Sequence, residues 1–298
     1  MKKLITILLS IFFVFSLSGQ NKISKQTAPI VKEGKLLFKS EMASWYGTDL
    51  FLAQYENQEN IGGYLSYSDS LVSRCIFYSR DESPTVIGTM DFDTSFQIET
   101  AIVDLEERPF SKIEKDLFEI REVAIEQVQI DTFFKHYENT NLNLIPLING
   151  KDKKVYILTG PTQHGVVIFG NDYLLTFDKE NKISSQKALH KNIIPIEYSQ
   201  EIEGGGEVMG AVHNHQDETG DFMTATDICT LMMYSKYAKW EKHTVISPKY
   251  MSIWDCKKNV LNVIPLEVYD NIEKQQEKKD KKDPKKAGRI RLVNKTFT

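Results

Sequence analysis

The chain contains 298 residues, of which 41% are hydrophobic and 11% aromatic, and 37 Lys and Arg face 41 Asp and Glu for a net charge of −4. This composition excludes collagen, coiled-coil and wholly disordered proteins, and it is sufficient for a buried core in one large or two medium domains. Three cysteines are too few for a disulfide-stabilised scaffold, so packing must stabilise the fold.

The first residues have the layout of a secretory signal peptide. Met1-Lys2-Lys3 precedes an apolar run from Leu4 to Leu17, which small residues follow. This run holds 14 residues, whereas a membrane-spanning helix needs about 20. We therefore expect residues 1–19 to be removed and the mature protein to be exported, without a transmembrane anchor, to a periplasm or the extracellular space.

Residues 20–107 are predicted to form an antiparallel β-rich module. Runs rich in Leu, Ile, Val and Tyr alternate with polar clusters that suit hairpin turns. The predicted strands are Leu50–Tyr55, Ile61–Tyr67, Leu71–Tyr78 and Thr85–Met90. None of these runs carries a motif that suggests chemistry.

Residues 108–270 are predicted to hold a long helix followed by a second α+β unit. Apolar residues recur at three- and four-residue steps between Pro109 and Tyr137, which is the helical period. A second helix is predicted from Ala225 to Trp240. The predicted strands around it are Leu142–Ile148, Val155–Leu158, Val166–Phe169, Tyr173–Phe177, Ile193–Ile196, Val208–His213, Thr244–Ser247, Met251–Trp254 and Val260–Ile264. This order of elements predicts the α+β fold class.

Residues 271–298 are predicted to be a basic flexible tail. From Ile272 onward the tail carries ten basic and four acidic residues, a composition typical of a solvated segment. The only aromatic residue there is Phe297, and no binding motif is present, so we expect no specific nucleic-acid binding. Salt-dependent binding of an anionic surface is a weaker alternative.

The most informative stretch is Gly210–Asp227, where two of the six histidines stand in the pattern His-x-His. Residues two apart on a strand point to the same face, so His213 and His215 can present both imidazoles to one ion. Asp227 follows on the first turn of the predicted helix. Two imidazoles and a carboxylate suit a zinc ion and leave one tetrahedral position for water, as hydrolysis requires.

This pattern resembles the signature of the JAB/JAMM (MPN-type) metallohydrolase superfamily, in which Ser-x-x-Asp follows His-x-His on a helix. Here eight residues separate His215 from Thr224-x-x-Asp227. The resemblance covers about residues 141–266 and is closest to the RadC branch, which has paired strands ahead of the motif like the predicted hairpin around Leu174–Ile196. It implies a JAB-like mixed sheet with a metal-ligand helix and the hydrolysis of peptide or isopeptide bonds in a peptide or protein substrate.

The resemblance also implies roles for individual residues. His213, His215 and Asp227 would be ligands of one zinc ion, and Thr224 would take the place of the catalytic serine near the reacting carbonyl. Gln216 stands where the family has proline, and no glutamate is evident on the first strand after the helix to act as the general acid and base.

Several residues are alternatives for the missing acid or for a further ligand. Glu207 would lie about 20 Å from His213 along a continuous strand, so we reject it unless the chain bends. Glu197, Glu201 and Glu203 can return on a loop, whereas His190 would supply a fourth ligand. A fourth protein ligand would make the site resemble a structural zinc.

A non-catalytic interpretation stands beside the hydrolase. Thr224-x-x-Asp227 also satisfies a helix capping box, and the chain would then be an envelope binding module with a structural or vestigial metal site. We interpret Cys229, Met232 and Met233 as core residues of the helix rather than soft metal ligands.

Overall fold

The computed structural model describes residues 2–68, 71–198 and 210–271, and within the first range it describes no side chain before residue 21. The helices are α1 (Lys2–Leu52), α2 (Lys112–Ile130) and α3 (Ala225–Tyr234). The strands are β1 (Ile61–Ser68), β2 (Ser73–Ser79), β3 (Val86–Phe92), β4 (Ile102–Asp104), β5 (Thr140–Asn149), β6 (Asp152–Pro161), β7 (Val166–Gly170), β8 (Tyr173–Phe177), β9 (Ile183–Ala188), β10 (Ile193–Glu197), β11 (Gly210–Asn214), β12 (Lys242–Ile246), β13 (Tyr250–Asp255) and β14 (Val260–Pro265). The α+β class is confirmed.

The described strands form separate sheets along the chain. The first is antiparallel in the order β1-β2-β3-β4, and the second is antiparallel in the order β5-β6-β8-β9. A two-stranded ribbon pairs β7 with β10, and the last sheet has the order β11-β12-β13-β14. Since β11 runs parallel to β12 while the later pairs are antiparallel, the last sheet is mixed, as expected.

Helix α1 contradicts part of the prediction for residues 20–107. The predicted strand Leu50–Tyr55 is wrong, because the chain is helical to Leu52 and then turns. The buried face of α1 has the helical period but carries many small or polar residues. Its buried members include Leu37, Ser40, Glu41, Ala43, Ser44, Gly47 and Phe51. This face joins the first sheet to the C-terminal half, since Leu37 packs in a cluster with β5, β6 and α3.

Helix α2 confirms the long helix that was predicted from Pro109, although it begins three residues later and ends at Ile130. Ser111 and Glu114 form a capping box at its start, which satisfies amides that the helix itself leaves free. Its apolar face packs on the second sheet through Ile120, Ala124 and Val128.

Helix α3 brings the candidate ligand Asp227 against α1 and the ribbon. It ends at Tyr234 rather than at the predicted Trp240, which packs in the core near Phe169 and Trp254. Gly34 of α1 makes the close approach possible, because a Cβ there would lie 2.7 Å from the side chain of Ile228. Cys229 and Met233 are buried core residues and Met232 is half-buried, as predicted.

One edge strand was not predicted from the sequence, and two of the sequence predictions concern the ends of the chain. Strand β9 was missed, because four of its six residues are exposed and polar. The predicted signal peptide falls in the part of α1 whose side chains are not described, and the basic tail from Ile272 lies outside the described residues. Among the described residues, no helix combines the length and apolar character that crossing a membrane requires.

Candidate metal centre

Four buried residues converge on one point in the C-terminal half. His213 lies in β11, His215 follows the end of that strand, and Asp227 is in the first turn of α3. His190 comes from the loop between β9 and β10. One ligand atom from each residue lies within 4.8 Å of the other three, and this group can hold a metal ion.

Four of the six distances among these atoms are close to those around a tetrahedral ion. Zinc–nitrogen bonds of about 2.0–2.1 Å place tetrahedral ligand atoms about 3.3 Å apart. The Nε2 atom of His215 lies 3.1 Å from Nε2 of His213 and 3.2 Å from Nε2 of His190. Oδ1 of Asp227 lies 3.6 Å from Nε2 of both His190 and His213. Each of these four distances is within a few tenths of an ångström of the tetrahedral distance of about 3.3 Å.

The second nitrogen of each ligand histidine faces a polar group. Nδ1 of His215 lies 3.1 Å from the carbonyl oxygen of Phe222, which can only accept, so Nδ1 is the donor in this contact. Nδ1 of His213 lies 2.8 Å from Nε2 of His243. Nδ1 of His190 lies 3.3 Å from Oδ2 of Asp172, at an angle outside hydrogen-bond geometry.

Asp227 is oriented by the start of α3. Oδ2 accepts hydrogen bonds of 2.8 Å from both the backbone N–H and the hydroxyl of Thr224. The Asp227 N–H donates in return to Oγ1 of Thr224, completing the capping box. Oδ1 is buried and has no hydrogen-bond partner among the described residues. Thr224 therefore positions the carboxylate, and the unpartnered oxygen faces the histidines.

The electrostatics of the cluster favour a cation at its centre. Burial opposes the charged form of Asp227, but the nearby charges of His190, His215 and His213 outweigh it and hold its pKa well below the usual range. Burial lowers the pKa of His213 well below normal, and it lowers the pKa of His243 to about 4. Burial lowers the pKa of His190 too, but the charges of Asp227 and Asp172 outweigh it and raise that pKa above the usual value. The ionised Asp227 carboxylate therefore needs positive charge beside it, which a proton on His190 or a metal ion can supply.

The strands around the centre hold the rings in place. In the parallel pair β11–β12, His213 lies opposite Val245, two residues beyond His243. The ring of Phe169 in β7 stacks on His243 with centroids 4.6 Å apart, and it lies 4.9 Å from the His213 ring. His213 and Asp227 thus lie on regular elements, whereas His190 lies in a loop and His215 just beyond the end of β11.

The structure brings together the three predicted ligands and adds one alternative. His213, His215 and Asp227 share the site, and His190 joins them as a fourth candidate ligand. Of the glutamates considered as the acid, Glu197 ends β10, and the other candidates, Glu201, Glu203 and Glu207, lie outside the described residues. Sequence reasoning missed His243 and Asp172, because neither shares a motif or a spacing with the ligands.

Comparisons of the whole chain with family models, with curated proteins and with solved structures gave no match.

Proposed function

We propose that this protein binds one zinc ion through His190, His213, His215 and Asp227. The observation that carries this proposal is the buried Oδ1 of Asp227, which lacks a hydrogen-bond partner among the described residues and faces the imidazoles. Imidazole nitrogens and a carboxylate oxygen at tetrahedral spacing are ligands that zinc prefers. Phe222 and His243 would orient the rings of His215 and His213 from behind, whereas Asp172 would only lie beside the ring of His190.

A structural role for the ion fits this ligand set best. Catalytic zinc sites have three protein ligands and an open position, whereas structural sites have four. All four side chains are also at most 6% exposed. The ion would join three segments that lie apart in the sequence: the loop with His190, the end of β11, and the start of α3.

The proposal is tested by metal analysis of the purified mature protein, prepared without chelator or histidine tag. We expect one equivalent of zinc per chain in the wild type and in His164→Ala, which removes an exposed histidine as the matched control. The double variant His213→Ala/His215→Ala should lose the zinc. A metal-free wild type, or equal zinc in both proteins, would disprove the site.

A zinc-dependent peptide or isopeptide hydrolase is the second candidate function. It is favoured by the resemblance to the JAB/JAMM signature and by the weak attachment of His190, a loop residue whose contact with Asp172 lacks hydrogen-bond geometry. Displacement of His190 would open one coordination position. Bound zinc would supply Lewis-acid chemistry there, and Thr224 would keep Asp227 oriented while the opened side receives the substrate carbonyl.

His190→Ala distinguishes the two functions. If the protein is a hydrolase, the zinc-loaded wild type or His190→Ala should cleave peptide or isopeptide probes, and His213→Ala should not. If zinc is structural, both proteins should be inactive and His190→Ala should bind zinc more weakly. Turnover that persists in His213→Ala would eliminate the zinc mechanism.

Export is a further part of the proposal, supported by the signal-peptide layout of residues 1–19. N-terminal sequencing of protein recovered outside the cytoplasm should begin near residue 20. Recovery of chains that retain Met1 and the apolar run would contradict removal of this segment.

A further inference from the structure

A second candidate site lies in a cavity that none of the zinc ligands lines. Its volume is about 590 Å³, and it lies between α1, α2, α3 and the β5–β6 hairpin. Cavities of about 300–1,000 Å³ are typical of small-molecule sites. Its walls combine aromatic side chains with two charged groups of opposite sign. The lining residues expected to contact a ligand or to position those that do are Glu41, Trp45, Tyr64, Arg121, Asn143 and Tyr234.

Arg121 is a largely buried cation with unused donors. Its side chain is 16% exposed, and its guanidinium lies over the ring of Tyr64 at 5.7 Å from the centroid. Its ion pair is a 3.7 Å contact with the adjacent Glu122, and the described residues accept no hydrogen bond from it. A guanidinium has five N–H donors in a fork that matches a carboxylate. The Arg121 side chain is therefore suited to an anionic group of a ligand.

Glu41 is a buried carboxyl group on the opposite helix. It is 5% exposed, and its Oε2 accepts a 2.5 Å hydrogen bond from the side-chain amide of Asn143. Burial raises the pKa of Glu41 to about 7, against the hydrogen bond from Asn143 and the charge of Arg121. A buried carboxyl group that titrates near neutrality in a cavity is suited to a cationic ligand group.

The two charges do not neutralise each other directly. No ion pair within 4.0 Å joins Glu41 to Arg121, since the carboxylate bonds to Asn143 and the guanidinium packs on Tyr64. A gap between opposite charges in a partly apolar cavity is complementary to a molecule that carries both charges and no net charge. An ion of one sign would leave one protein charge desolvated and unpaired.

We propose that this cavity binds a small zwitterion, an amino acid or a short peptide, with its carboxylate on Arg121 and its ammonium group on Glu41. Trp45 and Tyr234, whose rings meet edge-to-face at 5.9 Å, would contact the apolar part of the ligand. The proposal does not depend on zinc, because the cavity residues and the metal ligands are different.

Calorimetric titration of the full mature protein with the twenty free amino acids and a series of glycyl dipeptides tests the proposal. We expect at least one probe to bind with a dissociation constant below about 1 mM, and acetylation of its amine or amidation of its carboxylate to weaken binding at least about tenfold, as expected for a lost charged hydrogen bond. No binding by any probe at about 10 mM, or equal binding of the blocked forms, would overturn it.

Three variants locate the binding. Arg121→Gln and Glu41→Gln should each weaken binding at least about tenfold, whereas Lys187→Gln on the exposed face of β9 should not. Gly160→Leu fills space without changing charge, because Gly160 lines the cavity and an added Cβ would meet nothing within 4 Å. The Gly160→Leu variant should bind the ligand more weakly while its Tm equals that of the wild type. Unchanged affinity in folded Gly160→Leu and Arg121→Gln would place the ligand elsewhere.

Discussion

Removal of the proposed zinc ion should destabilise the C-terminal half of this protein substantially. An ion held by four residues closes two loops of the chain. The loop from His190 to His213 holds 24 residues and the loop from His215 to Asp227 holds 13, counting the ligands. A cross-link that closes a loop of this size stabilises the folded state by about 3 kcal/mol, because it lowers the entropy of the unfolded chain.

The two loops together set an upper value of roughly 6 kcal/mol. The zinc-free protein can keep part of the cluster ordered through protons on the histidines, so we expect a loss of about 3–6 kcal/mol. At about 2–4 °C per kcal/mol, this corresponds to a decrease in Tm of roughly 6–24 °C.

Differential scanning calorimetry of zinc-loaded and chelator-treated protein measures this shift. Metal analysis on the same samples establishes the loading, and re-addition of zinc should restore the original Tm. His164→Ala should show the full shift, and His213→Ala should show none. Equal melting temperatures for fully loaded and fully stripped protein would refute the argument that the ion links three segments.

Three further predictions address the surroundings of the centre and the cavity. Asp172→Asn should weaken zinc binding by no more than about tenfold, the lower end of the range for groups that orient a ligand, because its contact with His190 lacks hydrogen-bond geometry. Competition with a chelating dye measures the affinity, and a loss of about 100-fold would show that Asp172 holds His190 firmly. Gly34→Ala should destabilise the fold by about 1–3 kcal/mol in spite of the helix propensity of alanine, because its Cβ would lie 2.7 Å from Ile228. Denaturant unfolding measures this loss, with Gly160→Ala as the control. Equal stability of the two variants would contradict the prediction. Glu41 has a folded pKa of about 7 against 4.5 ordinarily, so the folded state binds the extra proton, and stability relative to Glu41→Gln should fall by roughly 3 kcal/mol between pH 4.5 and 7. Parallel stability curves of the two proteins over this pH range would disprove the shift.

The candidate metal site could be predicted from the sequence only for those residues that lie close together in the chain. His213 lies in β11, His215 directly follows the last residue of that strand, and Asp227 comes after a short loop. Local periodicity and spacing therefore suffice to bring them together. His190 could only be named as an alternative, since its distance from the others depends on how β9 and β10 are connected across the ribbon. Nothing in the sequence order gives that distance.

The N-terminal half shows a different limit of sequence reasoning. The strands β1, β2 and β3 were predicted because alternating apolar runs separated by polar turns identify them. Helix α1 was missed because its inward face mixes Leu37 and Phe51 with Ser40, Ser44 and Gly47, which pack closely against neighbouring elements. Small buried residues reduce the apolar periodicity by which a helix is identified.

The residues that contact the second ring nitrogen of each histidine determine how firmly that histidine is held. None of these residues belongs to the sequence motif. His213 contacts His243 of β12, His215 contacts the carbonyl of Phe222, and His190 contacts Asp172, which precedes β8. Two of these contacts have hydrogen-bond geometry, and the contact of His190 does not. Of the three histidines that could be ligands, His190 is therefore the one whose departure should cost least. Zinc retention in His190→Ala decides between a closed structural centre and one that can open to a substrate.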